Sequence, residues 1–469
     1  MQMGVEVVAI SEPVSPETRR TLQKVDRIAA IPGKVQGSGP VFSFSHNSNF
    51  AFKAVNDVLA AGGKVSFAKT ENAVYVTGAA ATLQKNGVDA TSVKETPAES
   101  WPVKQPRIAL YEPWGGNIDS GWTRWLFEQF RFPFTLVHNA DLQDGHLSDH
   151  FDTIVFAEMG TRQIMDGMAP GSVPGQYAGG IGETGAQALR DFVTAGGTLV
   201  TLGNATLFAM DQFNLALTNV VQGVPQTQFF CSGSLLRVEI KDPNHPVLAG
   251  LPASPAIMFE RNPVFDTKQG FRGRVLASYV KDRSPLLSGF LLGADLIEGK
   301  AAALDADYGK GHIVMLAFRP QWRGQSHGTY KFLFNALYYN PSMAPEAAGG
   351  RGGGRGGGNP QQAAWRREAE SVKADLLKVL DQNRTYFAAR GPRAAEEGKK
   401  LEDQLDAFQR DRLPQLDDLR AQVEDGAAAR SEAAFSAQLQ KFAVDLRTKD
   451  FSAAKLDDLL DQYKITVVP

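Results

Sequence analysis

A single cysteine, Cys231, stands in 469 residues. No intrachain disulfide forms, and no multi-cysteine zinc site can be built. That suits a cytosolic protein, and equally a bacterial exported protein that dispenses with disulfides. Histidine is scarce as well, with seven: His46, His138, His146, His150, His245, His312 and His327. None begins an H-x-x-E and there is no H-E-x-x-H, whereas a catalytic zinc needs about three His or carboxylate ligands around an open position. His146 and His150 lie four apart in HLSDH, but the residues between them offer no general-base glutamate, so the segment reads as a solvated loop. An excess of one charge is also missing. Lys plus Arg is 49, Asp plus Glu is 51, and the net charge is −2, so no general affinity for nucleic acid or anionic membrane is expected. No run of about 18 apolar residues predicts a membrane span. MQMGVEVVAI lacks the basic start and long apolar core of a signal peptide. The strand-like GVEVVAI follows Met1 with no lead-in, which gives the expectation of a chain cut from something longer.

What is present is a globular composition, 43% hydrophobic with 28 Phe, 10 Tyr and 6 Trp, in a chain long enough for two to four domains. Residues 1–105 read as a small α/β unit. GVEVVAI, VFSFSH, KVSFAKT and AVYVTG alternate as strands, NFAFKAVNDVLAAGG is a helix capped by Ser48 or a flanking Asn, and PAESWPVKQP is a linker. His46, just before that cap, reads as a hydrogen-bonded loop histidine. From Arg107 the pattern becomes strand–helix alternation: RIALYEP, a helix over SGWTRWLFEQF capped by Asp119 or Ser120, FTLVHN, FDTIVFAE, a helix over ETGAQALRDFVTAGG, then TLVTLG. Near-continuous apolar strands alternating with helices predict a mostly parallel, doubly wound sheet. LLRVEI, RVLASYV, LLSGFLLG and AAALDAD follow as a β-rich insertion. A closing strand from His312 and a helix from about Thr329 complete a domain over 106–343. Residues 344–362, including AAGGRGGGRGGG, read as a Gly/Arg-rich linker. Residues 363–469 read as a helical bundle, with Trp365, Ala369, Val372, Leu376 and Leu380 at helical spacing.

Two further patterns fail, on context or on residue type. GIGETG (Gly180 to Gly185) matches a dinucleotide-binding fingerprint, but no strand precedes it and Glu183 opposes a pyrophosphate. A glutaminase needs a cysteine on a tight strand-to-helix elbow and a histidine after a later strand. The elbow position reads as Asn204, and Arg319 in AFRPQ stands where that histidine belongs. Cys231 lies elsewhere and reads as a small apolar residue. What remains is a set of polar residues at the carboxyl ends of strands, where open α/β sheets bind ligands. These are Glu112, Asp119, Trp122, Arg124, Glu158, Asn204, Arg319, Arg323 and His327. They form either a polar pocket or a salt-bridged rim that joins a neighbouring domain.

The runs YEPWGGNIDSGWTRWLFEQF, DFVTAGGTLVTLGNAT, FFCSGSLLRVEI, HPVLAG and GKGHIVMLAFRPQWRGQSHGTYKFLFNAL resemble the region that follows the peptidase domain in large bacterial zinc carboxypeptidase (carboxypeptidase A/T type) proteins. The resemblance spans about residues 1–340. It implies a flavodoxin-like, class I glutamine amidotransferase-like fold that lacks the amidotransferase's catalytic cysteine and histidine. It also implies a zinc peptidase domain upstream as partner, with zinc belonging to that domain and no cofactor in this chain. The expected function is a non-catalytic accessory region that packs on the peptidase, binds a ligand or forms homo-oligomers. The alternative is a free-standing enzyme or a peptide- or carbohydrate-binding module that uses the rim, with Glu158 or Asp119 as base and Arg319 as clamp. Localisation is open, and periplasmic or extracellular if the chain belongs to an exported peptidase.

Overall fold

The computed structural model describes residues 2–5, 10–26 and 30–343. The chain divides into two units, Met1–Gly349 and Gly350–Pro469. The predicted linker over 344–362 and helical bundle over 363–469 lie outside the described residues, as does most of the GVEVVAI strand.

After a short helix α1 (Pro16–Thr21), a six-stranded sheet is built from β1 (Val35–Gln36), β2 (Val41–Ser45), β3 (Val65–Ala68), β4 (Ala73–Thr77), β5 (Ala90–Val93) and β6 (Ser100–Val103). Its order is β1-β5-β2-β4-β3-β6. Helices α2 (Asn49–Ala60) and α3 (Ala80–Lys85) accompany it. Ser48 caps α2, its hydroxyl accepting from the Phe50 amide at 3.2 Å. The segment expected as a linker contains β6, which pairs antiparallel with β3. Pro102 is tolerated because β6 is an edge strand with no neighbour beyond it.

The second sheet begins with β7 (Ile108–Tyr111), α4 (Ile118–Phe130) and β8 (Phe134–Val137). Two short helices, α5 (Asn139–Gln143) and α6 (Leu147–His150), lead to β9 (Thr153–Phe156). Then come α7 (Thr161–Met165), α8 (Gly182–Ala195), β10 (Thr198–Leu202) and α9 (Ala205–Gln212). Seven strands follow: β11 (Leu217–Asn219), β12 (Ser234–Ile240), β13 (Ala256–Phe259), β14 (Phe265–Thr267), β15 (Gly273–Tyr279), β16 (Leu286–Ser288) and β17 (Ala301–Tyr308). Strand β18 (Gly311–Leu316) and helix α10 (Tyr330–Tyr338) come last. The strands β8-β7-β9-β10-β18 are mutually parallel. Counted in chain order this is 2-1-3-4-5, the flavodoxin-like order. Strand β17 then adds antiparallel to β18.

Both faces of the parallel strands are buried, as their continuous apolar sequence requires. Alternate residues enter two cores. Ile108, Leu110, Val155, Val200, Leu202, Val314 and Leu316 join one core with Leu126 and Phe127 of α4 and Phe334 of α10. Ala109, Tyr111, Ile154, Phe156, Leu199, Ile313 and Met315 join the other with Leu189 and Phe192 of α8 and Phe208 of α9. The first core continues without interruption into the small sheet, through Phe42, Phe44, Phe52 and Phe67. His46 sits in that shared core. It is buried, its Nε2 is 3.1 Å from Asn335 Oδ1 of α10, and its ring lies edge-on to Phe52 and Phe67. The Asn335 amide is saturated, donating to the Val247 and Ala249 carbonyls at 3.0 and 2.9 Å. One polar node therefore ties the small sheet, the segment after β12 and α10 together. Burial pushes the His46 pKa down to about 4 against the pull of its Asn335 hydrogen bond.

Candidate functional site

Helix α4 starts two residues earlier than expected, at Ile118 rather than Ser120. Asn117, not Asp119 or Ser120, is its cap, accepting from the Ser120 amide at 2.8 Å and donating to the Glu158 carbonyl at 3.1 Å. That frees Asp119, in the first turn, to face the sheet rim. After β10 the chain turns sharply through Gly203, which has φ +53°. Asn204 then has ordinary helical angles. The strained elbow residue is thus Gly203 rather than Asn204, and a Cβ on it would overlap the Glu158 carboxylate. The absence of a Cβ at Gly203 lets Glu158 come in close. Its Oε2 accepts from the Asn204 amide and its Oε1 from the Asn204 side chain, both at 2.6 Å.

The guanidinium of Arg319, directly after Phe318 and three residues past the end of β18, lies at the centre. It pairs with Glu260 and reaches Asp119 at 3.4 Å and Glu158 at 3.7 Å. The four side chains are 17%, 29%, 15% and 9% exposed for Arg319, Glu260, Asp119 and Glu158, so this is a largely dehydrated network rather than a surface pair. Trp322 Nε1 donates to Glu260 at 2.9 Å, and Gln321 Nε2 to Asp119 at 3.3 Å. Three carboxylates surround one guanidinium. Burial lifts the Asp119 pKa to about 6; Arg319 pulls it down, and Glu158 and Glu260 push it up. Arg323, in a left-handed turn at φ +53°, lies over the Trp322 ring at 5.2 Å and also bears on Asp119.

Of the residues expected at the rim, Asp119, Glu158, Asn204 and Arg319 meet, and Arg323 stands beside them. Arg124 points outward and pairs with Glu128 at 3.0 Å. Trp122 packs edge-on against Trp125. Glu112 offers its backbone carbonyl to His138 Nδ1 at 2.7 Å. His327 leaves the rim for a separate cavity and stacks on Tyr330. Glu260 was not anticipated, because the loop after β13 carries no motif; only its place directly after a buried AIMF strand hints at a rim position. Asn262, whose Oδ1 accepts from the Glu260 amide at 2.5 Å, lies in that same loop, whereas Trp322 lies in the turn after β18, where only its indole N–H marks it as a partner for a carboxylate.

No family model matches the chain, and no curated protein matches it. Solved structures similar to it include a ThuA-like protein from Bacteroides uniformis, 12% identical with a TM-score of 0.30 over 52% of this chain and 94% of that one. Another is a ThuA-like protein from Parabacteroides merdae, 13% identical with a TM-score of 0.34 over 53% and 94%. A third is a β-galactosidase from Bacillus circulans sp. alkalophilus, 12% identical with a TM-score of 0.30 over 49% and 31%. Likeness at this level says nothing of activity. The mixed α/β, flavodoxin-like character of the chain rests on its own strand order and agrees with the class I glutamine amidotransferase-like fold expected from the sequence.

Cys231 is buried, and burial raises its thiol pKa; it is far from a thiolate nucleophile. Gly180 to Gly182 follow a loop rather than a strand, and Glu183 pairs with Arg190 on α8, so no dinucleotide cradle forms. His146 precedes α6 and His150 ends it, both exposed, with His146 3.8 Å from Asp149. Among the described residues, Asp305, Asp307 and His312 bring ligand-type atoms within 4.8 Å of one another. They lie where the end of β17 meets the start of β18, opposite the rim. Asp305 is already partnered there by His245 at 3.1 Å, His312 at 3.2 Å and the Tyr339 hydroxyl at 2.8 Å. Burial alone would raise the Asp305 pKa, but the hydrogen bonds from His245 and His312 hold it well below the ordinary carboxylate range. A buried carboxylate stapled by its own protein partners explains this cluster.

Proposed function

We propose that this chain is a non-catalytic accessory region of a zinc-carboxypeptidase-like protein, a scaffold of amidotransferase-like fold that binds a ligand or partner, or oligomerises. One observation carries the non-catalytic part. At the elbow where a glutaminase needs its nucleophile the chain has Gly203 and Asn204, and at the histidine position it has Arg319, whose guanidinium is occupied by Asp119, Glu158 and Glu260. An arginine so enclosed is a structural cross-brace, not a free clamp for a substrate oxyanion. The link to a peptidase rests on the sequence resemblance alone, with zinc chemistry assigned to the peptidase domain. The exposed His146 and His150 do not fit that role. The coding sequence immediately upstream of Met1 tests this link: an in-frame zinc carboxypeptidase domain supports it, and an independent start site overturns it.

One observation favours a second reading, an enzyme or binding module that uses the rim. An Asp119 carboxyl poised at about 6 suits general acid–base work near neutral pH. On this reading a hydrolytic or ligand-binding activity has a pH midpoint near 6 and disappears in Asp119→Asn; an activity indifferent to that substitution removes it.

A further inference from the structure

Away from the rim, a cavity of about 700 Å³ opens where the start of α2, α4, the β12 region and α10 meet. That is ample for a small organic ligand. Its polar lining is one-signed. Lys53 of α2, Arg237 of β12 and Lys331 of α10 face it, together with His327, and no Asp or Glu is among the described residues that line it. Like charges gathered without a counter-charge repel, and an entering anion relieves that repulsion. Lys331 is the strongest sign. It is only 7% exposed, and lysine is rarely buried unless paired. Its ammonium is held by the Asn47 carbonyl at 2.6 Å rather than by a carboxylate, and burial lowers its pKa to about 8. The amino end of the twelve-residue α2 borders the same space through Ser48 and Asn49, adding the positive end of a helix dipole. Much of the remaining wall is apolar, with Phe50, Trp125, Phe130 and Leu287. Phe50 and Trp125 are exposed aromatics that no core explains.

We propose that this cavity is a binding site for a small organic anion, with a carboxylate or phosphate head held by Lys53, Arg237 and Lys331 and an apolar body laid against Phe50 and Trp125. The proposal goes beyond the accessory reading and stands whether or not a peptidase domain is linked to the chain. The test is titration calorimetry of the full chain with phenyl phosphate, inorganic phosphate and phenol. The expected result is phenyl phosphate binding at least tenfold tighter than either half-probe and weakening as salt rises. Lys53→Ala and Arg237→Ala should each weaken it at least fivefold while leaving the melting temperature of the free protein unchanged. Lys331→Met should abolish it; if that variant does not fold, the other two decide. Absence of binding, equal binding of phenol, or affinity unchanged in both Lys53→Ala and Arg237→Ala overturns the proposal.

Discussion

Replacing Asp119 with asparagine should make the protein more stable, and more so at high pH than at low pH. The carboxyl sits beside Glu158 and Glu260 in a largely dehydrated rim, and its pKa is lifted to about 6 from an ordinary 3.8. A carboxyl raised in this way keeps a proton in the folded chain between about pH 4 and 6 that the unfolded chain gives up. It therefore weakens the fold as pH rises through that window and exerts its full cost above it. Two pKa units correspond to about 3 kcal/mol, a cost borne at pH 8 that shrinks to about 1 kcal/mol at pH 4.5. Asparagine removes it. Whatever asparagine loses in contact with Arg319 or Gln321 is the same at both pH values and cancels in the comparison. The gain should therefore fall by about 2 kcal/mol between pH 8 and pH 4.5, several degrees of melting temperature for a large domain. Thermal melts of wild type and variant at the two pH values read this directly. A variant whose gain is equal at both, or which is less stable than wild type chiefly at pH 8, would show that Asp119 is an ionised, stabilising partner of Arg319 and refute the reasoning.

Arg319→Met leaves three carboxylates without their counter-charge and should cost about 3–5 kcal/mol at pH 8; the loss should shrink toward pH 5, as urea midpoints at the two pH values will show. Gly203→Ala should destabilise by at least about 1–3 kcal/mol, from its φ of +53° and its clash with Glu158. A double-mutant cycle with Glu158→Ala should then be strongly non-additive. His46 runs opposite to Asp119. With its pKa lowered to about 4 from 6.5, it makes the fold lose up to about 3 kcal/mol as pH falls from about 6.5 toward 4, and His46→Gln should flatten that part of the acid-unfolding curve. Asp305→Asn should cost about 3 kcal/mol or more, because His245 and His312 lose a buried carboxylate partner, measured as a shift in urea midpoint.

The parallel strands were legible in the sequence because each is a short apolar run followed by a glycine-closed or capped helix, and TLVTLG and HIVMLAF each lie where a central strand should. Four of the nine rim residues were legible as a cluster for the same reason: the strand ends at Phe156, Leu202 and Leu316 determine where Glu158, Asn204 and Arg319 emerge, and α4 brings Asp119 to the same edge. What the sequence hid depends on tertiary contact. Glu260 enters from a loop after an antiparallel strand, where nothing in ERNP marks a rim position. Trp122, three residues after Asp119, stays on the same side of α4 but turns its ring to Trp125 and the Gly324 turn, whereas Arg124, five residues on, is carried about 140° round the helix and pairs with Glu128. His327 is separated from Arg319 by two tight turns at Trp322–Gly324 and His327–Thr329, which redirect it to the cavity. The strand at Ser100–Val103 was masked by Pro97 and Pro102, which look like a linker until an edge position accommodates Pro102.

The most direct test of the proposed non-catalytic role is steady-state release of ammonia from glutamine, and of C-terminal residues from peptides with zinc supplied, by the purified chain. Rates should equal those of buffer for both substrates, and Arg319→Ala should change neither. Turnover of either substrate that is lost in Arg319→Ala would contradict the assignment of Arg319 as a structural cross-brace.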